Sequence, residues 1–312
     1  MLEEAQAVGG RVSLLSPLEQ QQWDLLLRRI NAGECTPFLG AGVSWPTLPT
    51  GGQLSRILAR GYCYPLVDSS NLPRVGQYLA LRSGDPVDAK QRAAERIIRR
   101  TRRPPNFLDD DDPHGILASL PLPVYLTTNW DCLMTMALDA KGRKVIQEVA
   151  RWNSEVVTRL PRFSANRPSQ DRPLVFHLHG HTGMAASMVL TEDDYIDFVA
   201  AMARDLKTVV PPTVQDALSF NTLLFIGYSL TDWNFHILLR LLMRTLADAP
   251  RRLNVSVQLP NRDLIVDGRE DDAKRFIANS LGASNVHIHW GEAKPFLVEL
   301  KQRYRDRYGD TS

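Results

Sequence analysis

The stretch "PVYLTTNWD" (residues 123–131) decides how the chain is read. Val124, Tyr125 and Leu126 are β-branched, aromatic and apolar, an unbroken run that suits a strand buried on both faces. The run then meets Thr127, Thr128, Asn129, Trp130 and Asp131. Hydroxyls, an amide, an indole and a carboxylate thus stand at the mouth of a core strand. A buried polar group without a partner costs about 1–3 kcal/mol, so Asn129 in particular is hard to explain as packing alone.

Working outward, three more strands end in the same manner. "TPFLG" (36–40) opens into "AGVSW", "PLVFHLHG" (173–180) closes on a glycine, and "NTLLFIGYS" (221–229) ends in Gly and Ser. "LNVSVQL" and "VHIHW" read as two further strands. Helical patterns separate them. Residues 16–33 form a first helix, with Ser16 as cap, Pro17 in the first turn, Glu19 completing a capping box and Gly33 as the stop. Residues 52–103 are helical in pieces broken at Pro65, Pro73 and Pro86. Others run from Asp131 to about Asp139, from a Thr191 cap onward, from about Asp232 to Leu246, and through "KPFLVELKQRY". Residues 150–171 read as an irregular surface excursion.

Strands alternating with helices predict an α/β fold built on a doubly wound, mostly parallel, Rossmann-like sheet. The 312 residues are read as a single domain: an N-terminal helix (1–35), a helical insert (52–120), and a core from 36–51 and 121–312. Ligands of such sheets lie at the carboxyl ends of the strands. The four polar strand ends, distant in sequence, are therefore expected to converge on one edge.

Composition narrows the function. With 44% apolar and 23% charged residues and a net charge of +2, nothing marks a nucleic-acid or membrane-surface protein. Three cysteines, Cys35, Cys63 and Cys132, without a CxxC pair exclude a four-cysteine zinc ribbon and suit a reducing cytoplasm. The acidic start "MLEEAQAVGG" is not a signal peptide, and no apolar run is long enough to span a membrane.

At the first strand end, Gly40, Ala41, Gly42 and Ser44 resemble a loop whose backbone N–H groups approach a phosphate; Trp45 stands where a dehydrogenase fingerprint wants a glycine. Asn129 suits the orientation of a water or a ribose hydroxyl, and Asp131 either caps the following helix or touches ligand. In "HLHGH", a regular strand would put His177 and His179 on one face. His179, just before Gly180, is the candidate general base. No carboxylate stands beside the run to complete a metal cluster, so no metal is expected. Gly227 and Ser229 suit close approach of backbone to a nucleotide, while Thr231 and Asp232 read as a helix cap.

"GAGVS", "TTNWD", "LHG" and "GYSLTDWN" stand in the order and spacing of sirtuin-like domains, and "VLTEDDY" is similar to the divergent bacterial branch found in anti-phage defence. The resemblance runs from about Pro37 to Leu300. It implies NAD as substrate, with Asn129 and His179 matching the catalytic pair. Gly40, Ala41, Gly42 and Ser44 match the nucleotide loop, Asp131 the acidic residue after the asparagine, and Gly227 and Ser229 the adenosine-side turn. Deacylating sirtuins carry a zinc ribbon and a Gly-Ile-Pro-Asp-Phe-Arg segment. Here the ribbon is missing and the segment reads "WPTLPTGGQL". The implied activity is hydrolysis of NAD to nicotinamide and ADP-ribose. A deacylase or ADP-ribosyltransferase, and a non-catalytic NAD- or ADP-ribose-binding subunit, are the alternatives. Since the chain runs only to Ser312, control is expected from a homo-oligomer or a separate partner. A HerA-type ATPase or a short Argonaute are family-based expectations, docking on residues 52–112.

Overall fold

The computed structural model describes residues 18–163, 167–228, 237–238, 240–242, 253–258, 269, 271–273, 275–276 and 286–310. Ser16, Pro17, Ser229, Thr231, Asp232 and most of the helix expected at 232–246 lie outside these residues. Among the described residues, seven strands form one sheet: β1 (Cys35–Leu39), β2 (Val124–Thr127), β3 (Ile146–Val149), β4 (Leu174–His177), β5 (Thr222–Ile226), β6 (Asn254–Gln258) and β7 (Val286–Trp290). The order is β3-β4-β2-β1-β5-β6-β7, and every paired neighbour is parallel. Strand succession reverses at β1, which has β2 on one side and β5 on the other. That is the switch point of a doubly wound sheet.

Side chains alternate across the sheet with period two. Tyr125, Val175, Leu224 and Val255 enter one core, while Val124, Leu126, Phe176 and Phe225 enter the other. The first core is closed by α1 (Gln20–Asn31), the insert helices α2 (Gly51–Gly61), α3 (Leu72–Ser83) and α4 (Pro86–Thr101), then α5 (Pro113–Ser119), α6 (Leu133–Ala140) and the final helix α11 (Ala293–Tyr308). Beyond α7 (Ser154–Arg159), the second core is closed by α8 (Glu192–Arg204), α9 (Leu206–Val209) and α10 (Pro212–Phe220). Burial of both faces explains why the central strands are unbroken apolar runs.

The insert is fastened to the core. Lys90 of α4 and Asp194 of α8 form a buried ion pair at 2.6 Å. Asp194 Oδ2 also accepts the Leu190 and Thr191 N–H groups at 3.1 and 2.9 Å, so the carboxylate is saturated. Gly76 lies so close to Leu190 that a Cβ there would be 2.9 Å from its carbonyl oxygen. Arg74 and Glu192 add an exposed pair at 3.1 Å.

Several expectations are corrected. The first helix begins at Gln20 and is capped by Glu19 with Gln22, whose side chain accepts the Glu19 N–H at 2.9 Å; the cap expected at Ser16 lies outside the described residues. Pro73 sits in the first turn of α3 and starts that helix rather than breaking one. The stretch 150–171, expected to be irregular, holds the short α7, and edge strand β3 stands unforeseen just before it; "IQEV" lacks an apolar run because β3 pairs with the sheet on one side alone. The acidic run is not a free loop. Asp112 caps α5 through a 2.7 Å bond from the Gly115 N–H, while Asp110 and Asp111 pair with Lys301 and Lys294 of α11 at 2.6 Å each. Finally, β4 stops at His177 and the chain turns at Leu178 and His179, so these two histidines do not share a strand face.

Candidate active site

The mouths of β4, β2, β1 and β5 are adjacent in the sheet and open on the same edge, as their parallel registers require. Thr127 is registered with His177. Asn129 and His179 therefore each stand two residues beyond one registered pair, past the ends of neighbouring strands.

The glycines of the first and last mouths have a packing reason. Gly40 donates to Ile226 O at 2.8 Å and Gly42 to Gly227 O at 2.9 Å, which staples the turn Ala41–Ser44 onto the end of β5. A Cβ on Gly40 would stand 2.7 Å from Gly227 O, and one on Gly227, whose φ is +79°, only 2.4 Å from Val43 N. Only glycine fits such a contact. The Gly42 N–H thus faces Gly227 and does not form part of an open row of phosphate donors. Tyr228 OH donates to Leu39 O at 2.9 Å, leaving Thr128 Oγ1 to donate to that phenol at 2.9 Å.

Asn129 is held on every side but one. Its N–H donates to Thr127 Oγ1 at 2.9 Å and its carbonyl accepts from His177 Nδ1 at 2.9 Å. Its Nδ2 donates to Gly40 O at 3.1 Å and leans on Ser44 Oγ at 3.4 Å. These contacts fix which way the amide points. Oδ1 is the outward atom, and it accepts no hydrogen bond among the described residues.

Behind the amide lies a cluster that the sequence reading only half foresaw. Ser44 Oγ is 3.4 Å from both Asp131 Oδ2 and His114 Nε2, and all three residues are buried. Ser44 therefore points inward. With Asp131 ionised, one proton arrangement satisfies the set: His114 Nε2–H and Asn129 Nδ2–H donate to Ser44 Oγ, and its hydroxyl donates to Asp131. Asp131 Oδ1 also accepts the Leu133 N–H at 2.9 Å, the capping role. Burial raises the Asp131 carboxyl from 3.8 to about 6, partly offset by the Leu133 and Ser44 bonds. The same burial lowers His114 to about 4. Nothing in the spacing of "DDDDPHG" signals His114; the link is the unexpected helix α5, whose second residue it is.

His179 stands apart from that network. Its ring meets Phe198 edge-on at 5.0 Å and Tyr195 at 5.9 Å, both on α8. Burial lowers it from 6.5 to about 4, so the imidazole is neutral at ordinary pH. Its Nε2 is buried with no hydrogen-bond partner among the described residues, and so are Trp130 Nε1 and His181 Nε2. Gly180, at φ +80°, lets the chain pass Ser187; a Cβ would be 2.1 Å from that carbonyl oxygen. Among the described residues no three His, Cys, Asp or Glu side chains gather to hold a metal.

Chemically, the two middle mouths offer an oriented amide oxygen, a neutral imidazole and desolvated walls. That set can align a hydroxyl or a water, and it can stabilise growing positive charge through the Asn129 dipole.

Residues 123–282, just over half of the chain, match the family model described as SIR2-like domain. The chain is 32% identical over 132 residues to NAD(+) hydrolase ThsA of Enterococcus faecium, covering 42% of this chain and 25% of that protein. It is 24% identical over 309 residues to NAD(+) hydrolase ThsA of Acinetobacter baumannii (strain 532279), covering 90% of this chain and 56% of that protein. It thus spans about a quarter to about half the length of the curated relatives it matches. A parallel α/β sheet, polar strand mouths in the expected order and a matched family model over residues 123–282 lead to one assignment: the chain belongs to the SIR2-like family.

Proposed function

We propose that this chain hydrolyses NAD, cleaving the bond between nicotinamide and ribose. The observation that carries the reading is the pairing of two atoms on neighbouring strand ends. Asn129 Oδ1 is aimed outward by three anchors, and His179 Nε2 is buried without a partner. The names of the relatives, each an NAD(+) hydrolase, support the substrate. Nicotinamide leaves a pyridinium as a neutral base, so its departure needs no proton. Positive charge grows on the ribose carbon, and the negative end of the Asn129 dipole stabilises it. Water then attacks that carbon, oriented by hydrogen bonding to Asn129 Oδ1, and one proton is released to solvent: NAD⁺ and water give nicotinamide, ADP-ribose and H⁺. A histidine at about 4 is a feeble proton sink at neutral pH. His179 acts instead as a neutral acceptor that holds a ribose hydroxyl.

Such an activity drains a cofactor that the whole cell needs, so we read it as a gated effector in anti-phage defence, acting in the cytoplasm. Self-assembly or a separate protein provides the gate. The exposed arginines 99, 100, 102 and 103 at the end of α4 and just beyond offer the docking edge, since Asp110 and Asp111 are engaged by α11. The test is direct. Purified protein is incubated with NAD, alone and in concentrated assembled form, and nicotinamide and ADP-ribose are quantified by chromatography. Equal amounts of both products support hydrolysis. Product only in the presence of an acylated peptide, or ADP-ribose found attached to protein, would replace this reading with a transferase. Binding without turnover would leave a sensor subunit.

A further inference from the structure

We propose that His177 is a positioning residue for Asn129, and that Gln147 on edge strand β3 sets the tautomer which lets it act. The inference rests on the NAD-hydrolase reading for its kinetic consequence, but the geometry stands on its own. His177 ends β4 in register with Thr127 on one side and Val149 on the other, and it is only 1% exposed. Its two ring nitrogens face opposite partners. Nδ1 lies 2.9 Å from the Asn129 carbonyl oxygen and Nε2 lies 3.0 Å from the Gln147 amide nitrogen.

The chemistry of the partners leaves one solution. A carbonyl oxygen can only accept, so Nδ1 carries the proton. An amide nitrogen can only donate, so Nε2 is the bare acceptor. The ring is thus neutral with its proton on Nδ1, and burial together with the neighbouring His181 ring, 4.8 Å away, favours that neutral state. Were the tautomer reversed, both contacts would be repulsive. A histidine serving packing alone would need partners, but not this partner. The carbonyl it grips belongs to the residue whose amide is already anchored to β1 and β2. Strands β1, β2 and β4 therefore each hold one group of Asn129, and β3 is joined to the site through Gln147. Holding an amide oxygen to within a fraction of an ångström is where orientation contributes most to rate.

The experiment uses the full chain and three variants. An Asn side chain places its amide nitrogen where Nδ1 was, whereas Gln reaches only toward the Nε2 position. His177→Gln should lower kcat by about 10–100-fold with little change in KM, and His177→Asn should recover most of that loss. Gln147→Leu removes the tautomer-setting donor and should fall between wild type and His177→Gln. Long-range proton–nitrogen NMR on histidine-labelled wild-type protein should show the Nδ1-protonated form, weakened in Gln147→Leu; thermal melts confirm that each variant is folded. Equal activity of folded His177→Gln and His177→Asn, or a wild-type signal from the Nε2-protonated form, would overturn the proposal. If wild type cleaves no NAD, the hydrolase reading falls, and the NMR measurement alone decides the positioning of His177.

Discussion

The two halves of the strand-mouth edge differ in what their polar groups do. At β1 and β5 every glycine is accounted for by contact. Gly40, Gly42 and Gly227 interlock backbone to backbone, and Tyr228 and Thr128 close the seam with side-chain bonds. At β2 and β4 the backbone is likewise hydrogen-bonded, yet Asn129 Oδ1 has no partner among the described residues, and His179 Nε2 and Trp130 Nε1 are buried without one. One half is a joint; the other, on the proposed reading, is a receptor. A Gly-x-Gly at a strand end looks the same from sequence in either case, so the glycine pattern alone does not identify the reacting half.

The sharpest way to break this comparison is to remove the two side chains whose polar atoms lack a partner among the described residues. Asn129→Ala and His179→Ala should each lower NAD turnover by about 10²–10³-fold, with both variants still folded by thermal melts. Near-normal turnover in either folded variant would remove its residue from the mechanism. Gly227→Ala should show the opposite signature. A side chain at φ +79°, 2.4 Å from Val43 N, should cost about 2–5 kcal/mol of stability by urea unfolding.

A subtler probe is Asp131. Its folded carboxyl sits at about 6 against an ordinary 3.8, so its favourable contribution is complete below 3.8 and is lost as pH rises through 6. Asp131→Asn keeps a hydrogen-bonding amide and has no charge to bury. It should gain up to about 3 kcal/mol over wild type at pH 8, with the difference closing by pH 4. The comparison between variant and parent matters because His114, His177 and His179 pull the other way. Their lowered values make the whole fold lose stability as pH falls below 6.5. Smallest of all, His181→Ala should alter turnover by less than about threefold; its Nδ1 only accepts the Gly183 N–H, at 3.0 Å, within its own turn. A loss as large as that of His179→Ala would move the receptor's centre toward the β4 turn.

Much of this was legible in advance because buried parallel strands announce themselves as apolar runs. β1, β2, β4 and β5 each carry one, and their polar ends do meet. β3 was missed because an edge strand facing water writes a polar pattern, and α5 because Asp112, inside an acidic run, looked like solvated charge when it is a cap. At the site, Asn129 and His179 were readable as an amide and an imidazole stranded past core strands. The inward turn of Ser44, the presence of His114 and the orientation of His177 were not. Each depends on where a strand stops or which helix begins, and a one-residue difference reverses which way a side chain faces.

The Lys90–Asp194 pair has a consequence for anyone who would graft this insert onto a relative. Removing one member of a buried pair leaves an uncompensated charge, at a cost of about 3–5 kcal/mol. A chimera must therefore exchange α4 and the start of α8 together, with Gly76 retained to clear Leu190. The same contacts join the insert to the site. α8 carries Tyr195 and Phe198, the walls of His179, so a protein that tilts α4 also moves the wall against which that imidazole rests.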